Sequence, residues 1–154
     1  MNKADKYQKF MPNTYTYLDD FFEVSQCRFP ESSAVDDDNL ISYQALNEKA
    51  NRLGNMLCDL GSGSNDRICF MSSKTITGYL SILAILKSGA CFVPLNAEDP
   101  DERIMTLLLS IKPKVILVEN AFFERLNQLK TKHNLRLYVI NADQIDTSQY
   151  STTK

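Results

Sequence analysis

The sequence predicts an α/β domain in which a layered, mostly parallel sheet is flanked by helices. Short apolar runs alternate with helical patterns of about ten to fifteen residues, the signature of βαβ units. Gly or Pro stands at the ends of most of these segments, where it stops a helix or starts a turn. The 154 residues are 44% apolar and 23% charged, which suffices for one core.

Residues 1–14 read as a flexible leader, polar and of mixed charge, around Pro12-Asn13. A helix is expected over Tyr15–Arg28, with Leu18, Phe21, Phe22 and Ser25 on one side and Pro30 beyond its end. Ala34-Val35 and Leu40-Ile41, joined by Asp36-Asp37-Asp38-Asn39, predict a β-hairpin. The clearest helix runs from Tyr43 to about Leu60 with Ser42 as N-cap. Leu46, Ala50, Leu53, Leu57 and Leu60 form its apolar stripe, and Asn47, Glu48, Asn51 and Asp59 fall elsewhere around it. Gly61 terminates it.

Arg67–Met71 then reads as a strand, and Ile76–Lys87 as a helix apolar on nearly every side, hence buried in a layered fold or under a partner. Gly89 stops that helix before a strand over Ala90–Leu95. Asp99-Pro100-Asp101-Glu102 predicts a helix start, with Asp99 as cap, Pro100 at the first helical position and Glu102 completing a capping box. Ile104, Leu107, Leu108 and Ile111 supply the buried face of that helix. Strands are expected at Val115–Val118 and Leu135–Ile140, around a helix over Ala121–His133 that buries Phe122, Leu126 and Leu129. Residues 15–140 thus form the lobe, and 141–154 a polar tail.

Composition excludes several classes. A net charge of −2 with scattered Lys and Arg does not suit a non-specific nucleic-acid binder. No apolar run reaches the ~18 residues of a membrane span, and Met1–Phe10 lacks the apolar centre of a secretory signal. A cytoplasmic protein is expected. Cys27, Cys58, Cys69 and Cys91 form no C-x-x-C pair and His133 is the single histidine, so no metal site is assigned. Cys58, Cys69 and Cys91 read as small buried hydrophobes with reduced thiols.

Tempting sites have simpler explanations. Gly61-Ser62-Gly63 follows a helix and precedes a strand, the reverse of phosphate-loop order, so helix termination is preferred. Asp36-Asp37-Asp38 suits a hairpin turn better than a cation site. Asp19-Asp20 reads as a solvated helix face, and His133 as a surface residue complementing a helix dipole. Lys87 and Arg103 show no nucleophile or acid partner in the sequence.

Three ordered segments carry a resemblance. Ile41-Ser42-Tyr43-Gln44-Ala45-Leu46-Asn47-Glu48-Lys49-Ala50-Asn51-Arg52-Leu53 is similar to the first core motif, L-(T/S)-Y-x-E-L-N-x-x-A-N-R-L, of the adenylate-forming (AMP-binding) ligase superfamily. Asp66-Arg67-Ile68-Cys69-Phe70-Met71 resembles its D-R-V strand. Leu86-Lys87-Ser88-Gly89-Ala90-Cys91-Phe92-Val93-Pro94-Leu95-Asn96, followed by Pro100-x-x-Arg103-Ile104, resembles the second core motif. Ala45, Ser88 and Asn96 replace the usual acidic residue, Ala and Asp. The resemblance spans about Tyr17 to Ile140 and fits best the nonribosomal-peptide-synthetase adenylation type, at the N-terminal part of the domain.

The resemblance implies that the complete enzyme joins a carboxylic acid, of the amino-acid class, to ATP with Mg, giving an acyl-adenylate and pyrophosphate. It also implies that the Gly/Ser/Thr-rich phosphate loop, the acidic residues for ribose and metal, the C-terminal-domain Lys and the specificity pocket all lie downstream. Ser148–Lys154 echoes such a loop in composition but has no glycine. The expectation is therefore a lobe truncated before the phosphate loop and inactive alone. No catalytic, cofactor-binding or metal residue is assigned, and no cofactor is expected on this chain. An expression fragment or split gene product and a naturally truncated relic fit equally well. A rival reading is a stand-alone interaction module. Apolar surface left by a missing remainder predicts self-association or a complementary synthetase chain as partner, with no nucleic acid and no membrane. A third reading, a small nucleotide-binding protein using the crevice at the strand C-termini, rests on fold analogy.

Overall fold

The computed structural model describes residues 17–36 and 40–153. The leader, Tyr15 and the centre of the expected hairpin turn (37–39) lie outside the described residues. The elements are α1 (Asp20–Arg28), β1 (Ser33–Asp36), β2 (Leu40–Ser42), α2 (Tyr43–Asp59), β3 (Arg67–Met71), α3 (Ile76–Lys87), β4 (Cys91–Pro94), α4 (Asp101–Ile111), β5 (Val115–Val118), α5 (Asn120–Lys132) and β6 (Tyr138–Asn141). β1 and β2 pair antiparallel, as the hairpin pattern predicts. The main sheet has the order β4-β3-β5-β6, and every pairing in it is parallel.

Side chains alternate across this sheet, so its two faces carry two cores. On one face Ile68, Phe70, Val115 and Leu117 meet Leu53, Met56 and Leu57 of α2 and Ala84 and Ile85 of α3. On the other, Cys69, Met71, Ile116 and Val118 meet Ile104, Met105 and Leu108 of α4 and Leu126 and Leu129 of α5. Central β5 is buried along its whole length. The result is a three-layer sandwich, the α/β class that the alternation of elements predicts.

Helix ends are closed by one recurring device. After α2, Gly61 takes φ +78° and donates its N–H to Cys58, while Ser62 N–H reaches back to Leu57. After α3, Gly89 at φ +80° bonds Leu86 and Ala90 bonds Ile85. After α5, Asn134 at φ +50° bonds Thr131 and Leu135 bonds Lys130. Each is a Schellman closure, which uses a left-handed residue to satisfy otherwise orphaned carbonyls. At the start of α2, Ser42 Oγ accepts from Ala45 N–H at 3.2 Å, a cap of a kind worth about 1 kcal/mol.

Several expectations need correction. α1 begins at Asp20 and buries none of its residues; Leu18 and Phe21 are exposed, while Phe22 stacks at 5.4 Å on Tyr43. Asp19 is only 1% exposed rather than solvated. α4 begins at Asp101 with Pro100 as its cap residue, and no side chain caps it. Asp99 instead accepts from Arg103 Nε at 3.2 Å, which draws its carboxylate away from the helix N–H groups. β6 begins at Tyr138 rather than Leu135, since Leu135 is taken up in closing α5. Cys69 is buried, but Cys58 and Cys91 are exposed: one lies near the outer end of α2 and the other begins an edge strand.

Candidate functional site

Doubly wound sheets place ligands outside the carboxyl ends of strands, where neighbouring chains leave to opposite faces. Here that point lies between β3 and β5: β3 feeds α3 on one face, and β5 feeds α5 on the other. Beside it, the carboxyl ends of β3 and β4 open into a cleft of about 870 Å³. Phe70, Pro94 and Leu95 form its floor, with Tyr79 and Ile82 of α3 on one side and Phe122 on the other. Ser72, Ser73, Thr75, Asn96 and Glu98 supply polar groups at its edge, and Lys74 is the cation in its lining. Gly78 keeps the first turn of α3 close to the strand end; a Cβ there would lie 2.7 Å from the Ser73 carbonyl oxygen.

Several donors at these strand and helix ends are engaged by internal carboxylates. Glu119 Oε2 accepts from Ser73 N–H at 2.7 Å and from Ser72 Oγ at 2.9 Å, spanning the gap from the end of β5 to that of β3. Asp143 Oδ2 accepts from Asn120 N–H at 2.7 Å at the start of α5, and its Oδ1 accepts from Thr77 Oγ1 on α3. A helix N-terminus attracts anions through free N–H groups and its dipole. Two resident carboxylates therefore sit at these ends, and Lys74 adds a positive charge to the cleft lining. Among the described residues no group of three His, Cys, Asp or Glu side chains could hold a metal ion.

Lys87 and Arg103 both have acid partners. The Lys87 side chain is 1% exposed and its ammonium pairs with Glu23 Oε1, 64 residues away on α1. Asn47 Nδ2 donates to the other oxygen of Glu23 at 3.2 Å, so three helices meet at one polar knot. Lys87 therefore works as a tie between helices α1 and α3. Arg103 pairs with Asp99 at the surface.

The residue that sequence reasoning missed is Arg125. Its guanidinium reaches Asp101 Oδ1 at 2.7 and 2.9 Å, the Ala97 carbonyl at 2.6 Å and the Asp99 carbonyl at 2.7 Å. It thus pins the β4–α4 loop that edges the cleft. The Asp-Pro-Asp cluster signalled only a helix start, and nothing local tied it to a residue two elements later. Cys69 offers no nucleophile, since burial pushes its thiol up to about 12. His133 lies exposed at the end of α5.

The sheet order defines an α/β lobe of the doubly wound kind. Residues 22–154 match the model of the AMP-binding enzyme family, and the chain belongs to that family. It is 30% identical over 129 residues to tyrocidine synthase 1 of Brevibacillus parabrevis, covering 83% of this chain and 12% of that protein. In fold it superposes on the anthranilate CoA ligase AuaEII, solved with anthranoyl-AMP, with a TM-score of 0.80 at 20% identity, over 100% of this chain and 30% of that one. For the nonribosomal peptide synthetase FmoA3, solved with alpha-methyl-L-serine-AMP bound, the TM-score is 0.77 at 23% identity, over 99% and 17% of the two chains. The chain thus spans about an eighth of tyrocidine synthase 1. It matches the N-terminal lobe of adenylate-forming enzymes of the nonribosomal-peptide-synthetase type. No helix among the described residues is long and apolar enough to cross a membrane.

Proposed function

We propose that this chain serves as the N-terminal lobe of an amino-acid-activating adenylate-forming ligase and is not catalytic alone. The complete enzyme would convert a carboxylic acid and ATP to an acyl-adenylate and pyrophosphate. The lobe would supply the wall behind an active site whose nucleotide-binding and acid-binding groups come from other sequence. One observation carries this reading. Within a chain that matches the family over residues 22–154, the strand-end donors are occupied by Glu119 and Asp143. Lys87 of the motif segments is spent on a tie between α1 and α3 rather than aimed into the cleft.

The test is pyrophosphate exchange with mixed amino acids. The chain alone gives none. Mixed with a polypeptide carrying the rest of an adenylation domain, it gives exchange that depends on an amino acid. Exchange by the isolated chain would reject the proposal.

The same reading assigns a partner. Tyr79 is 45% exposed on α3, and Leu109 on α4 and Tyr138 on edge strand β6 are more exposed still. Ile82 and Leu83 of α3 are only half-buried, so this nearly all-apolar helix presents an uncovered flank. Such surface favours association, here with a complementary synthetase chain and, without one, with a second copy. Light scattering coupled to gel filtration on the chain without a complementary chain is expected to show a species larger than 17.5 kDa that returns toward that mass in mild detergent. A monodisperse monomer at high concentration would count against it.

A further inference from the structure

α2 presents three asparagines at steps of four, Asn47, Asn51 and Asn55, so their carboxamides stack along one face of the helix. Asn47 turns to Glu23, and the other two serve a different purpose. Asn51 Nδ2 donates to the Thr152 carbonyl at 2.7 Å. Asn55 Nδ2 uses both hydrogens, one on the Ser151 carbonyl at 3.0 Å and one on that of Thr153 at 2.9 Å. Three consecutive main-chain carbonyls, some hundred residues away in sequence, are thus received by side-chain donors of one helix. Neither a strand nor a helix forms in that segment.

The segment is braced as it approaches this strip. Ser148 N–H donates to Asp146, Tyr150 N–H donates to the Thr147 carbonyl, and Tyr150 packs against the core cluster beneath α2. Ser151 Oγ then receives Thr153 N–H at 3.1 Å and lies 2.8 Å from Thr153 Oγ1. Asn51 is only 5% exposed, so without the Thr152 carbonyl its buried amide would lose its acceptor. The donors address carbonyls and not side chains, so the strip holds the backbone whatever residues occupy it, and the seating of Tyr150 in the core fixes the register.

We infer that Asn51 and Asn55 are positioning residues that clamp the main chain at Ser151–Thr153 in one register and so set its heading as it leaves the lobe. The consequence for catalysis rests on the function proposed above, in which phosphate-binding sequence lies beyond this point. A clamp there would place that sequence relative to the sheet, and loss of a fixed approach weakens ligand placement before it alters chemistry.

The experiment has two arms. In the first, backbone ¹⁵N relaxation is measured on this chain, on Asn51→Asp/Asn55→Asp, which keeps the side-chain shape and removes the donors, and on Asn51→Ala/Asn55→Ala, which adds no charge. The heteronuclear NOE of residues 151–153 should match that of α2 in the parent and fall below half of it in both double variants, while α2 itself stays rigid. Rigid 151–153 in the alanine pair, or mobile 151–153 in the parent, overturns the clamp. Should α2 also loosen in the double variants, the single variant Asn55→Asp, at the less buried rung, is read by the same criterion.

In the second arm, the variants are assayed in the reconstituted pyrophosphate exchange. The apparent KM for ATP should rise about tenfold with kcat changed by less than about threefold. An unchanged KM in variants whose 151–153 segment is mobile overturns the role in positioning. Absence of exchange in the parent mixture instead rejects the proposed function, and the relaxation arm still decides the clamp.

Discussion

Glu23→Ala is expected to destabilise the lobe by about 3 kcal/mol, and far more than Lys87→Met. Removing one member of a buried ion pair costs about 3–5 kcal/mol because the survivor is left uncompensated. The lower end applies because Glu23 remains 32% exposed, so water already screens part of its charge. The two members are not equivalent. Lys87, at 1% exposure, cannot rehydrate without disrupting the packing of α3, whereas Glu23 can turn outward. Lys87→Met keeps the apolar stem and should cost below about 1 kcal/mol, and Glu23→Gln/Lys87→Met should be nearly neutral. Urea unfolding that follows the midpoint at constant slope measures all three. Equal losses for Glu23→Ala and Lys87→Met would show that the pair does not tie α1 to α3.

Gly54→Leu is the second large effect, about 3 kcal/mol, against about 1 kcal/mol for Gly54→Ala. Gly54 lies where α2 crosses α3. A Cβ there would come within 3.1 Å of the Ala84 carbonyl oxygen and 3.2 Å of Lys87 Cβ. Both neighbours belong to the helix framework, so neither can swing aside. Alanine gains about 1 kcal/mol of helix propensity, which offsets part of its overpacking, and leucine has to push the helices apart. For a chain of this size the leucine variant should melt about 10 °C below the parent. A melting temperature unchanged by Gly54→Leu would mean that α2 and α3 do not pack in such close contact. Because the same contact seats Lys87, the two substitutions should also be non-additive.

Much of the scaffold was legible from local pattern. The four-and-three spacing from Leu46 to Leu57 predicts both α2 and its buried face, and Arg67–Met71, Ile76–Lys87 and Val115–Val118 have the boundaries that their apolar runs suggest. Gly61 and Gly89 stop helices because their left-handed backbone needs no partner beyond the preceding turn. Element starts set by polar residues were less legible. Asp99 looks like a cap in sequence, but Arg103 and Arg125 compete for it and its carbonyl.

By itself, then, the sequence determined the alternation of strands and helices, the apolar face of each long helix, the places where they end, and the motif segments that resemble the adenylate-forming ligases. Tertiary structure alone decided the strand order β4-β3-β5-β6, and with it which charges meet. It buried Asn47 and Asn51, which periodicity puts outside the apolar stripe, because α1 and the segment after β6 cover that side of α2. It likewise laid Glu119 across the strand ends, and brought Glu23 to Lys87. The physical reason is range. Hydrophobic burial needs only that a face be apolar, whatever apolar surface covers it, so it is written in local periodicity. A hydrogen bond or ion pair needs one particular partner at about 3 Å, and the folded chain path decides which residue stands there.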